Sequence, residues 1–186
     1  GDLVRPDETA TDAAPRILAQ LAGVRDIALD QVETFAGVDR HPLGRVITIA
    51  YSALTGVEGV NLSASSTAAD VKWCNVAELP SLGFDHKSII DSVYNRLKRE
   101  AQRKPIGQGV LPEKFTLAQL QRLYEAVFQV QLDSPNFRKK MTALNYLKDC
   151  KELERNVSHR PAKLYTFNKK RYAELEVTGF SFEVQG

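Results

Sequence analysis

Apolar positions recur along this chain at two spacings, and the changes between them mark its elements. In TDAAPRILAQLAGV, Ile17, Leu18 and Leu21 follow the helical repeat, which predicts an amphipathic helix with Thr11 or Asp12 as its N-cap and Pro15 in its first turn. Residues 29–35 and 46–54 read as strands, because ITIAYSAL joins β-branched and aromatic residues in an apolar run. VKWCNV (71–76) alternates well enough for another strand, which would leave Trp73 half-buried in the sheet. AELPSLGFDH then leads into a helix over 87–103, with Ile89, Ile90, Val93, Tyr94 and Leu97 on one side and a basic end of Lys98, Arg99, Arg103 and Lys104.

Beyond Lys104 the pattern becomes wholly helical and then alternating. Pro105, Gly107 and Gly109 read as a linker, so the expected domains are 1–104 and 105–186, with a hinge at 105–109. Thr116 caps a run in which Leu117, Leu120, Leu123, Tyr124 and Val127 keep helical spacing. After the short QVQLD loop, Ser134 and Pro135 start a second helix that turns Phe137, Met141 and Leu144 inward and Asn136, Arg138, Lys139 and Lys140 outward. Residues 147–153 and 162–167 can then pair around the basic loop RNVSHRPAK. Two helices followed by such a hairpin are the order of a winged helix.

Composition narrows the classes of function. The chain has 186 residues, 43% of them hydrophobic, and a net charge of +2, which suits a globular protein of one large or two small domains. No apolar run reaches about 18 residues and nothing resembles a signal peptide, so a cytoplasmic protein with no membrane partner is expected. Cys74 and Cys150 lie too far apart for a metal-ligand spacing and argue against a disulfide framework or a zinc site. The halves differ in charge, about −2 up to Lys104 and about +4 after it. That asymmetry is small and favours nucleic acid as a partner only weakly by itself.

Two constellations carry candidate chemistry. Arg138, Lys139 and Lys140 near the start of the second helix suit a major groove, where cations meet phosphate and Ser134, Asn136 and Arg138 reach base edges; a solvated basic face gives the same pattern. The wing adds His159, Arg160 and Lys163 beside it. The loop 39–45 brings Arg40 and Arg45 next to Asp39, a grouping that either binds a phosphate or hydroxylated sugar or pairs Asp39 with Arg45 across the loop. Phe84, Asp85 and His86 belong to the same cleft, or Asp85 is simply the cap of the helix that follows. His41, His86 and His159 are scattered and support neither a triad nor a metal cluster.

The segment from Asp2 to Val24 resembles the Nudix hydrolase box. Glu8, Arg16, Leu18, Gly23 and Val24 keep its frame, whereas Asp2 replaces a Gly, and Ile17, Gln20 and Leu21 stand where three clustered glutamates belong. Those glutamates hold divalent cations that neutralise phosphate and activate water, and Ile and Leu cannot ligate a cation. No catalytic residue, metal or cofactor is therefore assigned. RPDE, DRHPLGRVITIAY, ELPSLGFDH, the long PIGQGVLPEKFTLAQLQRLYEAVFQVQLDSPNFRKKM and HRPAKLY together resemble the bacterial Nudix-related transcriptional regulators, over nearly the whole chain up to Phe167.

That resemblance implies an α/β (α+β) architecture: a Nudix-like mixed-sheet α/β/α sandwich without its first strands in this chain, then a winged helix-turn-helix. It implies a homodimeric repressor or regulator that binds double-stranded operator DNA and responds to ADP-ribose or to a pentose such as arabinose. The effector-binding candidates are Arg5, Glu8, Asp39, Arg40, Arg45, Phe84, Asp85 and His86. The DNA-binding candidates are Thr116, Ser134, Asn136, Arg138, Lys139, Lys140, His159, Arg160 and Lys163, of which 136–140 match the family's recognition helix and Arg160 with Pro161 its wing tip. The rival readings are a Nudix hydrolase of ADP-ribose or another nucleoside diphosphate derivative, and a winged helix used for protein contacts.

Overall fold

The computed structural model describes residues 1–42, 44–57, 60–64, 70–155, 157–158 and 160–183. It is a mixed α/β chain that divides into two compact units, Gly1–Arg96 and Leu97–Gly186. The division falls inside a helix, ahead of the linker that the glycines and proline suggest.

In the first unit, helix α1 (Ala10–Ala22) is capped by Thr9 rather than by Thr11 or Asp12. Thr9 accepts the Asp12 N–H, and the Asp12 carboxylate accepts from the Thr9 N–H at 3.1 Å, a reciprocal capping box. Pro15 consequently lies in the second turn, not the first. Gly23 ends the helix in the left-handed region at φ 71°, donating its N–H to the Ala19 carbonyl. A Cβ there would meet Ser63 Cβ at 2.9 Å, so the close approach as well as the backbone angle requires glycine.

Strands β1 (Asp30–Phe35) and β2 (Thr48–Ser52) pair antiparallel, from Asp30↔Ser52 to Phe35↔Thr48, with an irregularity between Gln31 and Glu33. The strand expected over 71–76 does not form. Among the described residues this sheet has two strands, Trp73 is 51% exposed, and the segment gains only a 3-10 turn, Val76–Glu78, capped by Asn75. Alternation specifies two faces, but a strand also needs a neighbour to take its N–H and C=O groups. Helix α2 (His86–Arg103) lies against β1 through Arg96, whose guanidinium donates to the carbonyls of Gln31 at 2.7 Å and Val32 at 3.1 Å.

The second unit holds the main core. Its sheet has the order β3 (Phe115–Thr116), β5 (Lys163–Phe167), β4 (Leu147–Leu153), all antiparallel, with helices α3 (Leu117–Phe128), α4 (Ser134–Ala143) and α5 (Lys169–Thr178). Phe115, Leu120, Tyr124, Met141 and Tyr146 are its fully buried centre, joined by Ala101 from the end of α2. Each such large side chain contributes about 1.5–3 kcal/mol by leaving water. The polar ends of the buried tyrosines are satisfied: Tyr146 donates to Met141 Sδ at 3.0 Å, and Tyr172 donates to the Pro105 carbonyl at 2.7 Å. Burial pushes the Tyr172 phenol up to about 12 and the Tyr124 phenol well above its ordinary range.

Two features depart from the expected layout. Pro105, Ile106 and Gly107 are not a loose hinge: all three are buried, and the Ile106 N–H donates to the Tyr124 hydroxyl at 3.3 Å. Gly107, at φ 123°, sits where a Cβ would come within 2.9 Å of Phe167 Cζ. The second departure is α5 and the segment after it. Their apolar residues Tyr172, Leu175, Phe180 and Phe182 are all buried in the core, yet their spacing spans a helix and its irregular exit and shows no single period.

Candidate nucleic-acid interface and effector cluster

The helix-turn-helix is built by local rules and fixed by one polar clamp. Thr116 and Gln119 form a capping box at the start of α3, with the Gln119 side chain accepting the Thr116 N–H at 2.8 Å. Gln129 closes α3 in the left-handed conformation at φ 54°. Gln121 donates to the Leu132 carbonyl and to Glu125, both at 2.9 Å, while Glu125 accepts the Leu132 N–H at 3.0 Å. The Leu132 N–H, then Gln121, hold the Glu125 carboxyl below the usual carboxylate range. The turn is thus stapled by two α3 side chains to both the N–H and the carbonyl of Leu132.

Helix α4 starts from Asp133, which accepts the Asn136 N–H at 3.0 Å; Ser134 is the first helical residue rather than the cap. Phe137 and Met141 are buried, which turns Pro135, Asn136, Arg138, Lys139 and Thr142 outward as one exposed face. Of these, Pro135 and Thr142 are not among the expected DNA-binding residues, although helical spacing from Asn136, Arg138 and Lys139 includes them. Thr142 donates to the Arg138 carbonyl, so it is a side chain held close to that face.

The wing is the β4–β5 hairpin. Its loop is closed by Glu154, whose N–H donates to the Ala162 carbonyl at 2.9 Å and whose carboxylate accepts the Ala162 N–H at 3.2 Å. Arg155, Arg160 and Pro161 are exposed at this tip, and His159 lies outside the described residues. Lys163 lies on β5, with its ammonium 3.3 Å from Asp149. Thr116 is 2% exposed and occupied as a cap, so its side chain is not presented to a partner.

The effector candidates of the first unit form two groups. Arg40 makes a bidentate pair with Asp85, Nε to Oδ2 at 2.7 Å and an Nη to Oδ1 at 2.8 Å, and also donates to Thr48 Oγ1 at 2.6 Å. The Arg40 hydrogen bond holds the Asp85 carboxyl below its ordinary range, and Asp85 caps nothing with that carboxylate. Beside it Phe84, at φ 54° and 61% exposed, stacks on His41 at 4.8 Å and meets the edge of His86 at 5.8 Å. Arg45 does not pair with Asp39 but donates to the carbonyls of Ala36 at 2.7 Å and Gly37 at 2.8 Å.

In the second group Glu8 receives Arg16 Nε at 2.9 Å and the Arg5 N–H at 2.9 Å. The Arg16 side chain, first of all, pulls the Glu8 carboxyl down to about 2. Gln20 is likewise engaged by Arg16, at 2.7 Å. Ile17 and Leu21 offer no donor atom, so these residues do not fit a divalent cation; among the described residues no group of three or more His, Cys, Asp or Glu converges on one. A cavity of about 420 Å³ opens elsewhere in this unit, between Gly23–Ile27 and Thr55, Val60 and Asn61, and none of the expected effector residues lines it.

A capped helix pair with a stapled turn, an exposed polar and basic second helix and a following hairpin defines the class: a winged-helix nucleic-acid-binding unit carried behind an α/β unit. Residues 107–167 match the NrtR DNA-binding winged helix domain. The chain is 24% identical over 168 residues to the ADPR responsive transcriptional repressor NtrR of Acinetobacter baylyi, covering 89% of this chain and 66% of that protein's length. The structure of Shewanella oneidensis NrtR complexed with a 27mer DNA superposes at a TM-score of 0.69 with 26% identity, over 92% of this chain and 79% of that one. A MutT/nudix family protein from Enterococcus faecalis gives a TM-score of 0.68 and 26% identity, over 89% and 71%. Over most of its length the chain is similar to the Nudix-related regulators, with a Nudix-type unit followed by a segment that matches their winged helix.

Proposed function

We propose that this chain is a DNA-binding transcriptional repressor whose Nudix-type unit senses ADP-ribose, acting as a dimer on its operator. The observation that carries the reading is the exposed face of α4, where Asn136, Arg138 and Lys139 stand on a helix fixed by Asp133, Gln121 and Glu125. Arg138 and Asn136 have the fork and amide geometries that read guanine and adenine edges, Lys139 meets phosphate, and Arg155 and Arg160 follow the backbone from the wing. Lys163, already beside Asp149, contributes less.

For the effector, the mostly buried Arg40–Asp85 fork fixes this part of the unit, and the exposed Phe84 ring beside it provides a flat surface for a base. The same unit lacks the means for efficient metal-dependent hydrolysis: Ile17 and Leu21 are apolar, and Glu8 is consumed by Arg16. The likeness to a MutT/nudix family protein keeps the hydrolase as the second reading.

Fluorescence anisotropy of the protein on the DNA upstream of its own gene tests both halves, with ADP-ribose and L-arabinose titrated separately. A ligand can release DNA only if it binds the two states with different affinity. Release by ADP-ribose is expected. Release by arabinose alone would replace the effector, and turnover of ADP-ribose with magnesium would replace the regulator by the enzyme.

A further inference from the structure

Phe182 lies beyond both α5 and the segment that matches the winged-helix domain, yet it is 3% exposed. Its ring contacts Tyr124 at 4.6 Å and Phe128 at 5.6 Å on α3, and meets Phe137 on α4 edge-on at 6.1 Å. Its backbone N–H donates to the Gln102 carbonyl in the last turn of α2 at 2.9 Å. The Lys140 ammonium lies 4.7 Å above the same ring. On the α4 wheel Lys140 falls between the buried Phe137–Met141 side and the exposed side, and it is half-buried where Arg138 and Lys139 are exposed.

We propose that Lys140 is not one of the phosphate-contacting cations of the recognition helix but works with Phe182 as a clamp that positions it. Resting on the DNA-binding reading above, this makes residues 168–183 part of the interface apparatus. The segment after the wing returns across the core, ties its backbone to the end of α2, and offers a ring face on which the flank of α4 is seated. The cation over the aromatic quadrupole resists rotation of α4 about its own axis, the motion that would misalign Asn136 and Arg138 against base edges. Lys139, one position away and exposed, remains to meet phosphate.

The test compares Lys139→Met, Lys140→Met, Phe182→Leu, Phe182→Trp and the Lys140→Met/Phe182→Leu pair in the full chain, by anisotropy on the labelled upstream duplex across a salt series. Lys139→Met should lower the magnitude of the log–log salt slope by about 0.9 per protomer, about 1.8 for the bound dimer, the signature of one lost phosphate contact on each half-site. Lys140→Met and Phe182→Leu should leave the slope unchanged and weaken binding about two- to tenfold. The double variant should bind no more weakly than either single one, and Phe182→Trp, which restores a ring face, should recover wild-type affinity. A slope change for Lys140→Met equal to that of Lys139→Met overturns the assignment, as do losses that multiply in the double variant or a failure of tryptophan to rescue. Salt-independent or absent binding by the wild type would instead sink the DNA-binding reading itself.

Discussion

Replacing Gly107 by Ala separates a packed junction from a hinge. Two costs add in the folded state. At φ 123° an L-residue is strained, which costs about 1–2 kcal/mol. The new methyl would also lie 2.9 Å from Phe167 Cζ, 3.4 Å from Leu111 Cδ1 and 3.5 Å from Leu120 Cδ1. Phe167 itself lies between the tilted Phe115 ring at 4.5 Å and the stacked Tyr146 ring at 6.0 Å, so it has little room to give, and overpacking of this kind costs about 1–3 kcal/mol. Stiffening of the unfolded chain returns about 0.4–1 kcal/mol. The net expectation is a loss of about 1–4.5 kcal/mol. Urea unfolding followed by near-ultraviolet circular dichroism reports it, because Tyr124, Tyr146 and Tyr172 of this core supply the signal. An alanine variant within about 0.5 kcal/mol of wild type would refute the packing account and return residues 105–109 to the role of a swivel.

Other perturbations test separate parts of the molecule. Arg138→Ala should weaken operator binding by about 1–3 kcal/mol if its fork reads a guanine, and anisotropy with unchanged affinity would remove it from the reading face. Phe84→Ala should raise the ADP-ribose concentration needed for DNA release about two- to tenfold while leaving ligand-free DNA binding intact. Glu8 has its carboxyl lowered from 4.5 to about 2, so its stabilising pair with Arg16 is present above pH 4.5 and is lost as pH falls towards 2. Glu8→Gln should therefore flatten the decline in melting temperature across that acid window, and an equally steep decline would show that the pair adds nothing.

How much was legible in the sequence follows from where the determinants lie. The start of α3 at Thr116, the inward Phe137 and Met141 and the hairpin strands were readable because caps, periods and turns act over a few residues. Cap positions differ from expectation by one to three residues, at Thr9 and Asp133, since neighbouring Ser, Thr and Asp offer the same oxygen. Long-range partners were not readable. Nothing local told that the 71–76 segment would lack a strand to pair with, or that Pro105 and Ile106 would be held by Tyr172 and Tyr124 from 67 and 18 residues away. The same holds for the candidate effector group. Arg40 and Asp85 were both singled out, but their mutual fork spans 45 residues, and Asp39 beside Arg45 was the more obvious partner by proximity alone.

The polar staple across the helix-helix turn separates framework from content. Gln121, Glu125 and the Leu132 backbone set the geometry of α4, and none of them lies on its exposed face. On the proposed reading of this face, substitutions at 136, 138, 139 and 142 change which bases are favoured without disturbing the support on which those side chains stand. If that reading holds, a lineage carrying this turn acquires new operators by exchanging a few exposed residues, and drift at those positions registers as altered gene targets long before it registers as lost stability.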